Sequence, residues 1–506
     1  MPAITRHPGP PTTSAPTTVA RPAPMITTTS SSPSPFVDVP APRAGGVVDV
    51  PARGAGPSSL VGLRAGTASL PFRHRPARTL AWTDVVTTTL TAPTPSSSSS
   101  PISPTLRLPP GTRVGATING AAVSGTLTGF DYKGRPVIHD DSGRRRVAAS
   151  FDDVRAAATA STTIPSVLSS LPAGAVVKPP AVLQQALDAA LDTLVVGAHS
   201  AREYTDAFTA RGFEVFVVGG GVRDAIATLM QKPNADVTEL LALLNDVDIV
   251  TTAPPPVARE ICEQVAPELS GGGVWSPKFV EQFGVVLAGG KKAGLPQSDG
   301  LDIATMKHSG MFGEQSHHAD TNEKSFGTTF GLDITKDAVA RDFCCNALYF
   351  DTRLQVVVDP TLQGIADAEQ RLLHPVRVDA TAEEATMSAR FWKFRLRGFG
   401  TDGESLKVVR QHASKVFSTS TGKERWRLQN ALGRTAPKDA STPATVEAWL
   451  KDLRRVMHED HCADLFDRSL RGGVRQGVAS EVLKRTQKGT TTTPTTPVST
   501  TTGGGQ

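Results

Sequence analysis

VFVVGGGVRD, residues 215–224, runs from four apolar residues with high strand propensity directly into three glycines and then into a segment with helical character. A strand that turns into a helix through glycines brings backbone close to whatever sits at the turn. The N–H groups of the helix start favour an anion there. Arg223 adds a planar, permanently charged donor suited to phosphate oxygens. A tight turn with no ligand is the alternative reading of the same ten residues.

Outward from this turn the chain alternates strand-like runs with helical ones. EVFVVGG, VDIVTT, FGVVLAG and GLDIATM have strand character, and PPVAREICEQVA is helical. Such alternation predicts an α/β (α+β) domain with a mixed sheet packed against helices. Helical periodicity precedes it in AVLQQALDAALDTLVV and SAREYTDAFTARGF, and beyond about residue 375 the pattern becomes wholly helical. The 21 residues between Asp224 and Asp246 read as a longer helix, a turn at Lys232-Pro233-Asn234-Ala235-Asp236, and a second helical stretch.

The chemistry is carried by carboxylates. Asp246 and Asp248 open the strand DVDIVTT, and at a spacing of two they project from one face. Like charges so close are tolerable where divalent cations sit between them. Two bridged Mg²⁺ ions would activate an attacking hydroxyl and hold departing pyrophosphate. Asp302 lies within the apolar strand GLDIATM, where an ionised group needs compensation. A lone DxD is otherwise an ordinary surface feature.

These elements, in this order, resemble the class II nucleotidyltransferases, which comprise bacterial-type poly(A) polymerases and CCA-adding enzymes. The family's GG-x-VRD turn is matched by Gly219, Gly220, Arg223 and Asp224, and its DxDI[VA]T strand by Asp246 and Asp248. Its E-V-A-T-F-R-like strand falls on LDIATMK with Asp302, and its RRDFTINA-like motif on ARDFCCNA, residues 340–347. DPTLQGIAD, residues 359–367, and EEATMSARFWKF, residues 383–394, follow in the family's sequence of motifs. The resemblance spans about 185 residues. It implies a nucleotidyltransferase palm followed by a helical neck, with a poly(A) polymerase-like activity that moves NMP from an NTP, expected to be ATP, to an RNA 3′-hydroxyl.

The same resemblance implies residue roles. Asp246, Asp248 and Asp302 would hold two Mg²⁺ ions. Gly219, Gly220 and Arg223, with Asp224, would hold the triphosphate. Arg341 and Asp342 would contact sugar and phosphates, with Asn346 supporting that turn, although Asp342 and Asn346 also suit a helix cap. On the base-reading helix the family's Asp and first Arg correspond to Glu384 and Met387, while Arg390 and Lys393 keep cationic side chains. A thioether cannot replace guanidinium donors, so addition of a single kind of nucleotide is expected above an ordered C-C-A programme. Ala340 stands where the family has a further arginine. The acceptor is expected to be an mRNA or tRNA-like 3′ end; a CCA-adding enzyme and a secreted effector acting on protein or tRNA are the alternatives.

The flanks differ in composition. Residues 1–105 are Ser/Thr/Pro-rich and expected to be a disordered arm, as is the tail 489–506. Residues 106–156 alternate apolar and polar positions between Gly, Asn-Gly and Asp-Ser-Gly turns, which predicts a small SH3-like β-barrel of four or five strands. A linker and helix at 157–195, the head domain at 196–375 and a helical neck at 376–488 complete the plan. Arg144 to Arg146, and the basic and aromatic stretch TGKERWRLQNALG at 421–433, suit either RNA contact or ordinary surface and packing roles. His317 and His318 have no third ligand in view.

Charge is unevenly placed. Residues 1–160 hold 16 Lys/Arg against 8 Asp/Glu, a net +8 against +5 for the whole chain, so the basic excess sits outside the candidate enzyme. The four cysteines show no CxxC spacing, which argues against a zinc site and for a reducing compartment. No apolar run reaches membrane-spanning length. A cytoplasmic location is expected, with targeting through the N-terminal arm left open.

Overall fold

The alternation of Val217, Ile249 and Ile303 with Phe216, Val250 and Ala304 gives the central strands two apolar faces, and each face is covered. A computed structural model describes residues 78–85, 90–94, 108, 111–156, 166–196, 199–244, 247–266, 278–280, 285–288, 301–309, 315–317, 324–326, 329–377, 384–418, 431–433, 435–437, 440–469 and 474–490.

Five short strands come first: β1 (Arg113–Ile118), β2 (Ala121–Phe130), β3 (Pro136–Asp140), β4 (Arg145–Val147) and β5 (Val154–Ala156). They are antiparallel, joined by turns at Asn119-Gly120 and Gly143, where the backbone takes positive φ. The head begins with β6 (Val176–Lys178), α1 (Ala181–Thr193) and α2 (Ala201–Ala210). β7 (Val215–Val218), α3 (Gly220–Gln231), α4 (Val237–Leu241), β8 (Asp248–Thr251) and α5 (Pro255–Val265) follow. Next come β9 (Lys278–Val280), β10 (Val285–Ala288), β11 (Leu301–Thr305), β12 (Lys307–Ser309), β13 (Thr329–Phe330) and α6 (Ile334–Val339). β14 (Tyr349–Asp351), β15 (Val356–Val358) and α7 (Gly364–Gln370) complete it. The neck comprises α8 (Glu384–Leu396), α9 (Gly403–Ser418), α10 (Pro443–Glu459), α11 (Ala463–Ser469) and α12 (Val474–Thr490).

The central sheet has nine strands in the order Thr83–Asp84, β6, β15, β14, β7, β8, β11, β10, β9. Only β8 and β11 run parallel; every other neighbouring pair is antiparallel. Helices α1, α2, α3, α5 and α7 and the neck cover one face. Residues 167–176 and α6 cover the other. The expected two helices between Asp224 and the DxD strand are α3 and α4, with Asp236 capping the second through the Glu239 amide at 2.9 Å.

Three boundaries differ from expectation. The 106–156 strands are not a separate module: Phe330 of β13 pairs with Phe130 of β2, so β12 and β13 extend their sheet to seven strands. Within 157–195, β6 is a strand of the central sheet rather than linker, its apolar Val176-Val177 hidden in sequence between Pro-rich flanks. Within the 1–105 arm, residues 78–85 are held in place. Glu369 accepts hydrogen bonds from the Thr79 and Leu80 amides and the Trp82 indole at 2.7, 2.8 and 2.9 Å. Thr83 and Asp84 then pair with Lys178 and Val177. One buried carboxylate thus collects three donors from a segment whose composition alone suggests no fixed structure. The rest of that arm, residues 421–430 and the tail beyond 490 lie outside the described residues.

Buried polar groups secure the frame. Glu214 receives the Ser166 hydroxyl and, at 2.9 Å, the Val167 amide. Burial pushes its carboxyl up to about 7 against the pull of these bonds. The fold therefore favours the protonated form, so this stabilisation is complete below the unfolded value near 4.5 and is lost as pH rises to about 7. On the order of 3 kcal/mol of stability is expected to disappear across that window in the wild type and not in Glu214→Gln, as denaturant melts at a series of pH values will show.

Gly364 opens α7 in the closest backbone approach of the head. A Cβ there would lie 2.4 Å from the Cys344 carbonyl oxygen and 2.9 Å from Leu348 Cδ2. Asp359 fixes the approach by accepting the Ile365 amide at 3.0 Å and the Thr361 hydroxyl at 2.7 Å. Gly364→Ala is expected to cost about 3 kcal/mol or more, read as a fall in denaturation midpoint.

Candidate active site

Several residues singled out in the sequence lie at one end of the central sheet. β7 ends at Val218, which pairs with Asp248 at the start of β8 and with Tyr349 at the start of β14. Asp248 is in turn in register with Asp302 on β11. Two carboxylates from different parts of the chain therefore meet on neighbouring strands, about 4.8 Å apart in the pairing direction. Both are exposed although the strand residues around them are buried or half-buried. By alternation they share the face of Val250 and Ala304. Asp246 lies outside the described residues.

Gly219 makes the turn from β7 into α3 with φ 81° and ψ −126°, a conformation that only glycine adopts readily. A Cβ on Gly219 would lie 3.9 Å from Asp248 Oδ2 and 4.0 Å from Arg341 Nη1. The turn is thus flanked by one metal-type carboxylate and one guanidinium, with the first amides of α3 opening beside them. Gly220 continues it, its position 3.5 Å from Arg223 Nη2 by the same measure.

Arg223 is held on three sides by its neighbours. Its side chain is 3% exposed. Nε and Nη2 donate to the two oxygens of Asp224 at 2.7 and 2.8 Å, and Nη1 donates to Asn346 Oδ1. Its guanidinium also lies 4.5 Å from the Phe394 ring centroid and 5.5 Å from that of Phe399. In this geometry it is a buried strut that commits three of its five N–H groups to Asp224 and Asn346. Asp224 is equally committed, since Arg397 Nη2 donates to it at 3.1 Å.

Asp342 and Asn346 belong to the same chain of contacts. Asp342 Oδ1 accepts the Phe343 amide at 2.9 Å and Asn346 Nδ2 at 2.8 Å, while Arg390 Nε donates to Oδ2. Burial alone would raise this carboxyl; the Arg390 charge and the bonds from Asn346 and Arg390 outweigh it and hold it below the ordinary carboxylate range. The helix-cap reading gives way to a network running from Arg390 through Asp342, Asn346, Arg223 and Asp224 to Arg397, which ties the neck helix α8 to the head. The charge of Asp342 first, and that of Asp248 among the lesser influences, keep Arg390 firmly cationic.

Lys393 sits half-buried among these groups. Burial first, then the charges of Arg390, Arg397 and Arg223, lower its pKa. Four cations thus face the carboxylates Asp224 and Asp342, a surplus that favours an anion. Met387, one helical turn before Arg390, is packed into the main core. Glu384 opens α8, and its side chain lies outside the described residues.

Two residues that a motif-based reading passes over stand beside the site. Asp337 of α6, 5% exposed in its side chain, accepts Arg341 Nε at 3.2 Å, Arg341 Nη2 at 3.0 Å and the Tyr349 hydroxyl at 2.7 Å. The sequence carries one signal for it, an acid four residues before Arg341 at helical spacing. Among the described residues no cluster of three or more His, Cys, Asp or Glu forms a metal cage, and His317 lies in a strand pair with Lys324 opposite it.

Residues 215–374 match the family described as the poly A polymerase head domain. The chain is 24% identical over 236 residues to a CCA-adding enzyme of Lactiplantibacillus plantarum, covering 46% of this chain and 48% of that enzyme. It is 28% identical over 187 residues to a CCA-adding enzyme of Streptococcus suis, covering 37% of each. Among solved structures, the Thermotoga maritima CCA-adding enzyme complexed with tRNA aligns at 19% identity and a TM-score of 0.35, covering 55% of this chain and 54% of that one. The chain spans about half the length, or less, of the curated relatives it matches. Residues 215–374 are thus similar to the poly A polymerase head domain, the family whose motifs this segment carries.

Proposed function

We propose that the chain is a template-independent RNA 3′-terminal nucleotidyltransferase. It transfers a nucleoside monophosphate from an NTP to an RNA 3′-hydroxyl and releases pyrophosphate. The observation that carries this reading is the register of Asp248 with Asp302 beside the Gly219 turn. Exposed carboxylate oxygens on adjacent strands are a donor set suited to Mg²⁺, and Asp246, Asp248 and Asp302 would hold two such ions. Bound there, the ions supply activation of the acceptor hydroxyl and neutralisation of charge on the leaving pyrophosphate.

The rest is assigned to the chain's own groups. The Gly219–Gly220 turn and the first amides of α3 receive triphosphate oxygens, and Arg341, Arg390 and Lys393 supply cationic charge around them. The acceptor oxygen bonds to the α-phosphorus as the bond to the α–β bridging oxygen breaks. The hydroxyl proton passes to solvent, and the bonding electron pair leaves with pyrophosphate. Arg223, Asp224, Asp342 and Asn346 act by holding α8 against this turn.

ATP is the favoured substrate, because the core position of Met387 leaves no side chain there to read a second base. The relatives named as CCA-adding enzymes favour a second reading, C-C-A addition to a tRNA-like 3′ end. The cytoplasm suits the four free, buried thiols, and among the described residues no helix is long and apolar enough to cross a membrane. Incubation of the protein with Mg²⁺, each labelled NTP in turn and trimmed tRNA distinguishes the two. Extension by ATP alone supports single-nucleotide addition, and ordered C-C-A addition overturns it.

A further inference from the structure

We propose that Asp337 and Tyr349 are positioning residues that set Arg341 as the phosphate-facing cation of the site, and that Asp337 locks this cation to the strand bearing Asp302. The inference rests on the proposed nucleotidyl transfer and concerns groups outside the metal and glycine motifs.

The geometry is specific. Asp337 Oδ2 holds Arg341 through Nε and Nη2, and the Tyr349 hydroxyl, which donates to the same oxygen, accepts Arg341 Nε at 3.0 Å. The guanidinium carbon lies 5.0 Å from the centroid of the Tyr349 ring. The arginine is fixed in plane and in tilt, and the nitrogen left over is Nη1. That nitrogen stands at the Gly219 turn beside Asp248. Meanwhile Asp337 Oδ1 accepts the Lys307 amide at 2.8 Å. Lys307 lies two residues beyond β11, the strand of Asp302. One buried carboxylate therefore spans the cation and the strand of the metal-type carboxylate, and fixes their separation.

An arginine held through two of its three nitrogens has little rotamer freedom left to lose on binding a phosphate, so its contact is made at lower cost. Such pre-organisation acts on ground-state binding of the triphosphate. It should appear in KM more than in kcat.

The test compares Asp337→Asn, Tyr349→Phe, Arg341→Ala and the Asp337→Asn/Arg341→Ala double variant in the full chain. KM and kcat for labelled ATP with RNA are measured alongside equilibrium binding of Mg·ATP and of Mg·CTP, with thermal melts as the folding control. Asp337→Asn and Tyr349→Phe are each expected to raise KM and the Kd of Mg·nucleotide by about tenfold, with kcat within about twofold. Because they act through Arg341, adding Asp337→Asn to Arg341→Ala should change either constant less than about twofold. Effects that multiply in the double variant overturn the proposal. So does unchanged KM in a variant that melts like wild type, or a loss of kcat that merely follows a lowered melting temperature. Tyr349→Phe keeps the test open if Asp337→Asn fails to fold. Wild-type protein that binds nucleotide without labelling RNA would refute the acceptor assignment alone, leaving the binding arm to decide on Asp337; no nucleotide binding at all would refute both.

Discussion

Replacing Asp248 and Asp302 together by Asn is expected to lower nucleotide transfer by at least about a thousandfold, the equivalent of about 4 kcal/mol of barrier. The two carboxylates are in register on a parallel strand pair of the central sheet, and both are exposed. Removing their charge removes the hard oxygen donors while leaving shape and packing as they are. Because neither side chain is buried, the double variant should melt within about 1 kcal/mol of wild type. Transfer assays and melts on the same preparations separate the two effects. Activity within tenfold of wild type would mean that the reaction does not depend on this pair.

The second large effect is on stability and lies at Arg223. Arg223→Ala removes a nearly fully buried cation that satisfies both oxygens of Asp224 and the amide oxygen of Asn346. It also withdraws the guanidinium from the rings of Phe394 and Phe399. Among the described residues, the half-buried Asp224 would then keep Arg397 as its ion-pair partner. Breaking one side of such a pair costs about 3–5 kcal/mol, and the lost packing adds to it. Arg223→Lys is expected to recover only part, since an ammonium cannot make the two parallel bonds to Asp224. A melt of Arg223→Ala within about 1 kcal/mol of wild type would show that the network does not join the neck to the head.

Much of the head was legible because its signals are local. A strand running into glycines, an Asp-x-Asp at a strand head and a helix spacing can each be read within about a dozen residues, and β7, α3, β8, α5 and β11 follow from them. The register of Asp248 with Asp302 depends on strand order, which no local pattern specifies. The partners of Arg223 illustrate the same limit. An arginine after three glycines reads as a phosphate donor, since sequence shows its charge and not the acceptors waiting for it at Asp224 and Asn346. The joining of β2 to β13 through Phe130 and Phe330 brings together residues 200 positions apart, with nothing at either end to announce it. Residues 78–85 escaped for a compositional reason: a Ser/Thr/Pro-rich setting hides the few groups, Leu80 and Trp82 among them, that Glu369 and the neighbouring core hold.

The arrangement also separates two tasks within one small region. Asp248 and Asp302 are exposed beside the glycine turn, where a triphosphate and an acceptor would meet under the proposed function. Beside them, the six-membered network is buried at Arg223 and Asn346 and open to solvent at Arg390 and Arg397, and it ties α8 to the head, while the buried Asp337–Tyr349 pair holds Arg341.

The most direct test of the central claim is to follow both products of one reaction. Protein, Mg²⁺, α-labelled ATP and an RNA with a free 3′-hydroxyl should yield terminal label on RNA and pyrophosphate in equal amounts, with no product when the RNA 3′ end is blocked. Label on protein, or pyrophosphate released without label on RNA, would contradict it.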